Sequence, residues 1–272
     1  MFSSWGNSFI KTMRTKRLLS RYIFVVSVFY YLFFVFSISQ AQKFVFDFEN
    51  DADLKDWEII DESPKNIGKG APSQWFITNG PIKGKALYQS SNIWGTKDDS
   101  CLMGTFIIYK GKQFVDFKMD VDVVSDDNDG MGIAWAFEGT QQHYRVIMIN
   151  DKWPEVPVDK IRGPFMKMQK RVSDDDPWYE LMEVKKGITY REKAPLHWQL
   201  SVKRGNFRFR RDDGKTIAGI DREYRKGYVG IQLYAQKAYF DNIVIESTWA
   251  VDPDKKVSTT WAQAKADRNY LN

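Results

Sequence analysis

Apolar and polar residues alternate along most of this chain, and the alternation has the period of a β-strand. Between Gln113 and Val124, Val115, Phe117, Met119, Val121 and Val123 share one parity, while Asp116, Lys118, Asp120 and Asp122 take the other. Such a run predicts an antiparallel strand with one face against a core and one towards water. The segment from Gly130 to Phe137 reads as its neighbour, reached through the tight turn Asp126-Asp-Asn-Asp-Gly130. His143 to Ile149 follows, with Tyr144, Val146 and Met148 opposite Arg145, Ile147 and Ile149. Further on, Trp198, Leu200 and Val202 point inward from one strand, Arg204-Gly-Asn206 turns into a strand over 207–211, and Asp212-Asp-Gly214 marks another hairpin. Tyr228 to Tyr234 and Tyr239 to Ile245 complete the series.

Two alternating runs, one from Phe44 to Trp57 and one from Ala238 to Glu246, carry carboxylates where strand gives way to loop. They are expected to lie side by side. Short strands joined by Gly, Asn and Asp turns, with no convincing soluble helix, predict an all-β sandwich or jelly roll. The rhythm breaks twice, at the Pro-rich stretch Asn150 to Pro157 and at the acidic stretch Val172 to Tyr179, and long loops on a rigid scaffold tend to carry function.

The first residues have a different character. Residues 1–21 hold Lys11, Arg14, Lys16, Arg17 and Arg21 and no acid; Ile23 to Phe36 is apolar except for Ser27; Ser39 and Ala41 then supply a small-x-small pair. That pattern is a hydrophobic N-terminal signal segment, with cleavage expected after Ala41. The apolar stretch is shorter than the ~20 residues that span a bilayer, so an uncleaved anchor is the alternative. The organisation expected is therefore a signal over 1–41, one β-sandwich domain over 42–247, and a linker or tail over 248–272. The predicted location is secreted, or the cell surface or periplasm, with membrane contact only through the N-terminal segment if it is retained.

The leader also accounts for the charge. The chain has 40 Lys and Arg against 35 Asp and Glu, a formal +5, and the five leader cations supply the whole excess. Beyond it the balance is neutral, which excludes the broad basic field of a nucleic-acid binder. The single cysteine, Cys101, precludes an internal disulfide and reads as a small buried residue, so the core must be large enough to stand without staples.

The order Asp126-Asp-Asn-Asp-Gly-Met-Gly-Ile-Ala-Trp-Ala-Phe137, His143-Tyr-Arg-Val-Ile-Met148, Trp198 to Val202, Gly227-Tyr-Val-Gly-Ile231 and Phe240-Asp-Asn-Ile243 resembles the thrombospondin C-terminal domain, a concanavalin A-like jelly roll. Phe48-Glu49, Trp57 and the closing Phe240 to Ile243 are also similar to bacterial carbohydrate-binding jelly rolls. The resemblance covers about residues 43–247. It implies a concanavalin A-like jelly-roll β-sandwich that is a non-catalytic, lectin-like or adhesion module, recognising an extracellular glycan or protein. The calcium-binding repeats that precede the thrombospondin domain are missing from this chain.

Three kinds of chemistry are open to these residues. Calcium takes six to eight oxygen ligands, and Asp126, Asp127 and Asp129, with Asn128, offer oxygens in one turn; an ordinary solvated turn is the alternative. Glu49 and Asp241 would meet at one end of the sandwich if the terminal strands pair, as a second structural Ca²⁺ site. For a glycan, Trp94, Trp153 and Trp178 stand in loops where rings could stack on sugars, and Arg145 is a polar partner; Trp57, Trp135 and Trp198 read as core. A polysaccharide-degrading enzyme on the same scaffold is the alternative function. Asp120 and Asp122 lack the companion Glu of a retaining glycosidase strand. Gln141-Gln-His-Tyr-Arg145 has the residue types of a lyase, a Tyr or His base with Arg and Gln beside it.

Overall fold

The computed structural model describes residues 42–62, 68–69, 72–95, 102–152, 163–173 and 179–247. The leader, residues 248–272, Cys101, Trp153 and Trp178 lie outside the described residues. In chain order the strands are β1 (Gln42–Phe46), β2 (Trp57–Asp61), β3 (Gly68–Lys69), β4 (Trp75–Asn79), β5 (Lys85–Gln89), β6 (Trp94–Gly95), β7 (Thr105–Phe114), β8 (Phe117–Ser125) and β9 (Gly130–Gly139). They continue with β10 (Gln142–Ile149), β11 (Phe165–Arg171), β12 (Tyr179–Lys186), β13 (Pro195–Lys203), β14 (Asn206–Arg211), β15 (Thr216–Ile220), β16 (Gly227–Tyr234) and β17 (Ala238–Ser247). A single 3-10 turn, Asp51–Leu54, interrupts them among the described residues.

The strands form two antiparallel sheets, face to face. The first runs β15-β14-β13-β8-β17-β5-β4, with β1 also on β17; the second runs β12-β11-β10-β9-β16-β7-β2; β3 and β6 make a small separate ribbon. Alternation decides what each sheet hides. Met119, Val121 and Val123 of β8, Trp198 and Leu200 of β13, and Phe240, Ile243 and Ile245 of β17 meet Ile133 and Trp135 of β9, Tyr144 and Val146 of β10 and Ile231 of β16 in one continuous core. Removing such rings and branched chains from water is the main stabilising term, about 1.5–3 kcal/mol for each fully buried large side chain.

The expected pairing of the outer segments is present: Phe44 stands opposite Ile245, and Phe46 opposite Ile243. β17 divides its edge. Its first residues pair with β5, Phe240 opposite Leu87, and its last with β1. A register shift between Asp241 and Val244 marks the change of partner, with Asn242 at φ 48°. Asn is among the few residues that tolerate that left-handed conformation.

Two local expectations fail. The run from Gln113 to Val124 is not one strand: β7 ends at Phe114 in the second sheet and β8 begins at Phe117 in the first. Val115, read as inward, is 53% exposed, and Asp116, read as outward, is buried. Its Oδ1 accepts the backbone N–H of Arg204 at 2.8 Å, so the carboxylate fastens two turns together. β9 is likewise not the neighbour of β8, because it pairs with β10 and β16 in the opposite sheet. The acidic turn carries the chain across the sandwich.

Candidate functional site: a polar face on the second sheet

The side of the second sheet turned away from the core is unusual in what it buries. His143 and Arg145 project there from β10, Lys167, Gln169 and Arg171 from β11, and Gln232 from β16, all with almost no exposure. Register brings them together. Arg145 stands opposite Gln169 on one side and Ala134 on the other, and Gln232 stands opposite Gly132. Buried charge is costly unless it is paired or hydrogen-bonded, and this set is densely bonded.

Arg145 is the centre. Its Nε and Nη2 donate to Oε1 of Gln169 at 3.1 and 2.9 Å, and its Nη1 donates to Oε1 of Gln232 at 3.3 Å and to the carbonyl of Leu102 at 3.4 Å. Both carboxamide oxygens therefore face the guanidinium, and the Gln232 NH2 group donates in turn to the carbonyl of Leu102 at 3.5 Å. Tyr179 of β12 covers this fork, with its ring centre 3.5 Å from the guanidinium carbon. Arg171 lies 5.1 Å from the same ring and pairs with Glu62 at 3.3 Å.

His143 has a defined protonation. Burial first, and then the charges of Arg145 and Arg171, hold its pKa well below the usual histidine value, so the imidazole is neutral. Nδ1 lies 3.1 Å from the carbonyl of Gly139, which only accepts, so the proton sits on Nδ1. The lone pair of Nε2 then faces the Tyr179 hydroxyl at 2.9 Å. A neutral base, a phenol and a guanidinium thus share one surface.

The other end of this face is apolar. Half-buried Trp94 packs against a cluster formed by Leu102, Ile147, Ile149, Phe165 and Tyr234. Trp94 and Arg145, picked from different parts of the sequence, consequently belong to the same face. Gly132 lies between these halves. A Cβ there would come within 1.8 Å of the Val146 carbonyl oxygen, so the adjoining strand approaches too closely for a side chain.

The acidic turn is held from within the fold. Gln236 Nε2 donates to the carbonyls of Asp127 and Asp129 at 2.9 and 3.0 Å, and the Tyr190 hydroxyl also donates to the Asp129 carbonyl. Asp126 is directed elsewhere, accepting from the Tyr88 hydroxyl at 3.1 Å and lying 4.0 Å from Lys193. Asp129 is pushed up to about 7 by burial and by the charges of Asp127 and Asp151. At the other predicted pair, Glu49 accepts the N–H of Lys85 at 3.1 Å. Asp241 is raised by burial and by Asp122, Glu49 and Asp47, despite the N–H of Asn242 that it accepts. The charge of Glu49 therefore reaches Asp241. Among the described residues no three His, Cys, Asp or Glu side chains converge as a metal cage.

The first sheet presents a second polar group outward. His197 Nδ1 lies 2.7 Å from Asp122 and its Nε2 3.2 Å from Asp120, while Gln199 and Asn242 donate to the same two carboxylates at 2.9 Å. Tyr88 and Tyr239 stack beside it with ring centres 4.1 Å apart.

The sequence alone points to Arg145 and Trp94 but not to Gln169, Tyr179 or Gln232. The parity of Phe165, Lys167, Gln169 and Arg171 against Met166 and Met168 was the available signal.

No family model and no curated protein matches the chain. Among solved structures, a protein of unknown function with a galectin-like fold from Bacillus subtilis superposes with a TM-score of 0.50 at 12% identity, over 76% of this chain and 98% of that one. The carbohydrate-binding module CBM66 from Bacillus subtilis gives 0.46 at 16% identity, over 66% and 95%. Domain 4 of an extracellular GH43 arabinanase from Geobacillus stearothermophilus, solved with arabinotriose, gives 0.44 at 10% identity, over 76% and 93%. The fold is a galectin-like jelly-roll sandwich.

Proposed function

We propose that this protein is a secreted or cell-surface glycan-binding module, and that it binds through the outward face of its second sheet. One observation carries the reading: a guanidinium, Arg145, lies between two carboxamides, Gln169 and Gln232, and beneath the ring of Tyr179, on the side of the second sheet turned away from the main core. Guanidinium and carboxamide groups suit sugar hydroxyls and uronate carboxylates, and Trp94 supplies an apolar ring at the other end. A glycan array probed with wild type, Arg145→Lys and Trp94→Ala is the test. Arg145→Lys keeps the charge but loses the fork, so binding should weaken about tenfold or more; the lost buried hydrogen bonds also lower the melting temperature, so binding is compared at a temperature where circular dichroism shows the variant folded. Unchanged glycan binding in both folded variants would refute the site.

A second reading, a glycan lyase on the same face, is favoured by the His143–Tyr179 contact. There the Tyr179 hydroxyl meets a neutral imidazole lone pair beside two arginines, which suits proton abstraction from a uronate. Release of unsaturated oligosaccharides from pectate, alginate or hyaluronan, abolished by Tyr179→Phe, would replace the binding reading with the enzymatic one.

Structural calcium belongs to the same proposal. The charges of Asp127 and Asp151 act on buried Asp129, and those of Asp122 and Glu49 on Asp241, repulsion that a divalent cation would relieve although no three of these side chains form a ready-made cage. The thrombospondin likeness, with its adhesion role towards a protein partner, rests on motif order alone; silence on the glycan array together with capture of a protein partner would favour it.

A further inference from the structure

One end of the sandwich has a cavity that the glycan reading does not use. It occupies about 400 Å³ where the crossing between β7 and β8, the turn between β13 and β14, and the segment before β16 come together. That size falls in the usual range for small-molecule sites, about 300–1,000 Å³. Its floor is hydrocarbon: Phe114, Phe117, Trp135, Val202 and Phe207 line it, each almost fully buried. The rings pack on one another, Trp135 against Phe207 at 5.1 Å and Phe114 against Phe117 at 5.6 Å between centres. The floor is therefore closed, and a ligand lies on it rather than between its rings.

Polar groups on the walls are already engaged. Asp116 accepts the backbone N–H of Arg204 at 2.8 Å. Asp221 accepts the Tyr144 hydroxyl at 2.6 Å and the N–H of Glu223 at 2.8 Å, and its other oxygen lies 3.4 Å from Lys170. The Tyr224 hydroxyl donates to the carbonyl of Arg171 at 2.9 Å. A hydroxyl-rich ligand would find few partners inside, whereas an apolar chain needs none. The mouth differs. Val115 lines it at 53% exposure, an apolar side chain facing water, and Arg222 and Arg225 line it, both exposed. Gly205 positions the first arginine. At φ 75° and without a side chain it lets the Arg222 stem lie against the turn, where a Cβ would come within 2.5 Å of the Arg222 Cγ. Arg225 Nε donates to the Arg222 carbonyl at 3.3 Å, which ties the two together. With the wall acids spent on other partners, this pair leaves the mouth positive.

We infer that this cavity binds a linear anionic amphiphile, a medium-chain fatty carboxylate. The acyl chain lies along the closed floor, and the carboxylate meets Arg222 and Arg225 at the mouth. At about 30 Å³ per chain carbon, the liquid share of a water, the space admits a chain on the order of ten carbons. Apolar area removed from water draws the chain in, and charge-assisted hydrogen bonds set its direction.

Calorimetric titration of the full chain with hexanoate, octanoate, decanoate and octanol, each below its micelle concentration, is the test. Affinity should rise about two- to fourfold with each added methylene. Octanol, which lacks the charge, should bind about tenfold more weakly than octanoate. Arg222→Ala/Arg225→Ala, altered only at exposed positions, should bind the two equally. Val115→Asp, at another exposed position, should weaken octanoate and leave octanol unchanged. No binding at millimolar decanoate would overturn the inference, as would an affinity indifferent to chain length or a preference for octanoate that survives in the double variant. Cosedimentation with phosphatidylglycerol vesicles, without binding of free decanoate, would assign the arginines to a membrane surface and overturn it too. The double variant should match wild type on the glycan array, so the two proposals fail separately.

Discussion

His197 and Asp129 sit in environments that alter their protonation in ways experiment can read. Burial pulls the His197 pKa down, but hydrogen bonds to Asp122 and Asp120 outweigh it, and the net shift is upward. The stabilisation is therefore complete below the ordinary histidine value of 6.5 and is lost as pH rises through the higher folded value. In an NMR titration His197 should titrate above 6.5, and Asp122→Asn should bring its midpoint back towards that value. Asp129 is raised too, from 3.8 to about 7. The folded state keeps a proton that the unfolded chain has released, so stability falls as pH climbs across that window. We expect the melting temperature to drop between pH 5 and pH 8, on the order of several degrees. Calcium should restore it and chelator should not, whereas Asp129→Asn should flatten both responses. Identical melting curves with calcium and chelator at pH 8 would count against the cation.

Elements obey parity except where the chain changes sheets. β10 and β13 could be read inward and outward directly from the sequence, because each lies wholly within one sheet. The run through Val115 could not. Periodicity records which side a residue faces relative to its neighbours, not which sheet it belongs to, so a crossing at Val115–Asp116 leaves no mark. The same limit hid much of the candidate site. Arg145 stands out in an apolar strand, but its partners Gln169 and Gln232 come from β11 and β16, and only the strand order makes them neighbours. Gly132 is the element-scale weak point. Gly132→Ala should destabilise the protein by about 1–3 kcal/mol, as overpacking does, because the added carbon meets the backbone of β10 and cannot rotate away. Chemical denaturation would measure this; a variant as stable as wild type would mean that the two strands have room to separate.

For the whole molecule, an all-β sandwich with its outer strands paired was legible from patterning, and the galectin-like superposition agrees with it. Sheet membership was not legible, since it depends on contacts between distant segments. The join between β1 and β17 can be tested directly. Deleting residues 42–46 would uncover the backbone of Ile243 to Ser247 and withdraw Phe44 and Phe46 from their ring contacts with Tyr109. The loss should reach about 2 kcal/mol, or about 4–8 °C in melting temperature for a domain of this size. A truncated chain that melts with the intact one would show that β17 is held by β5 and β8 alone.

That join also sets the order of events during synthesis. β1 leaves the ribosome first, but the strand it needs is made some two hundred residues later, so until then Phe44 and Phe46 have no lasting place. Such delayed closure makes folding slow and leaves an adhesive strand waiting in the nascent chain. Export ahead of folding, or a chaperone holding that first strand, would suit this topology better than folding as the chain emerges.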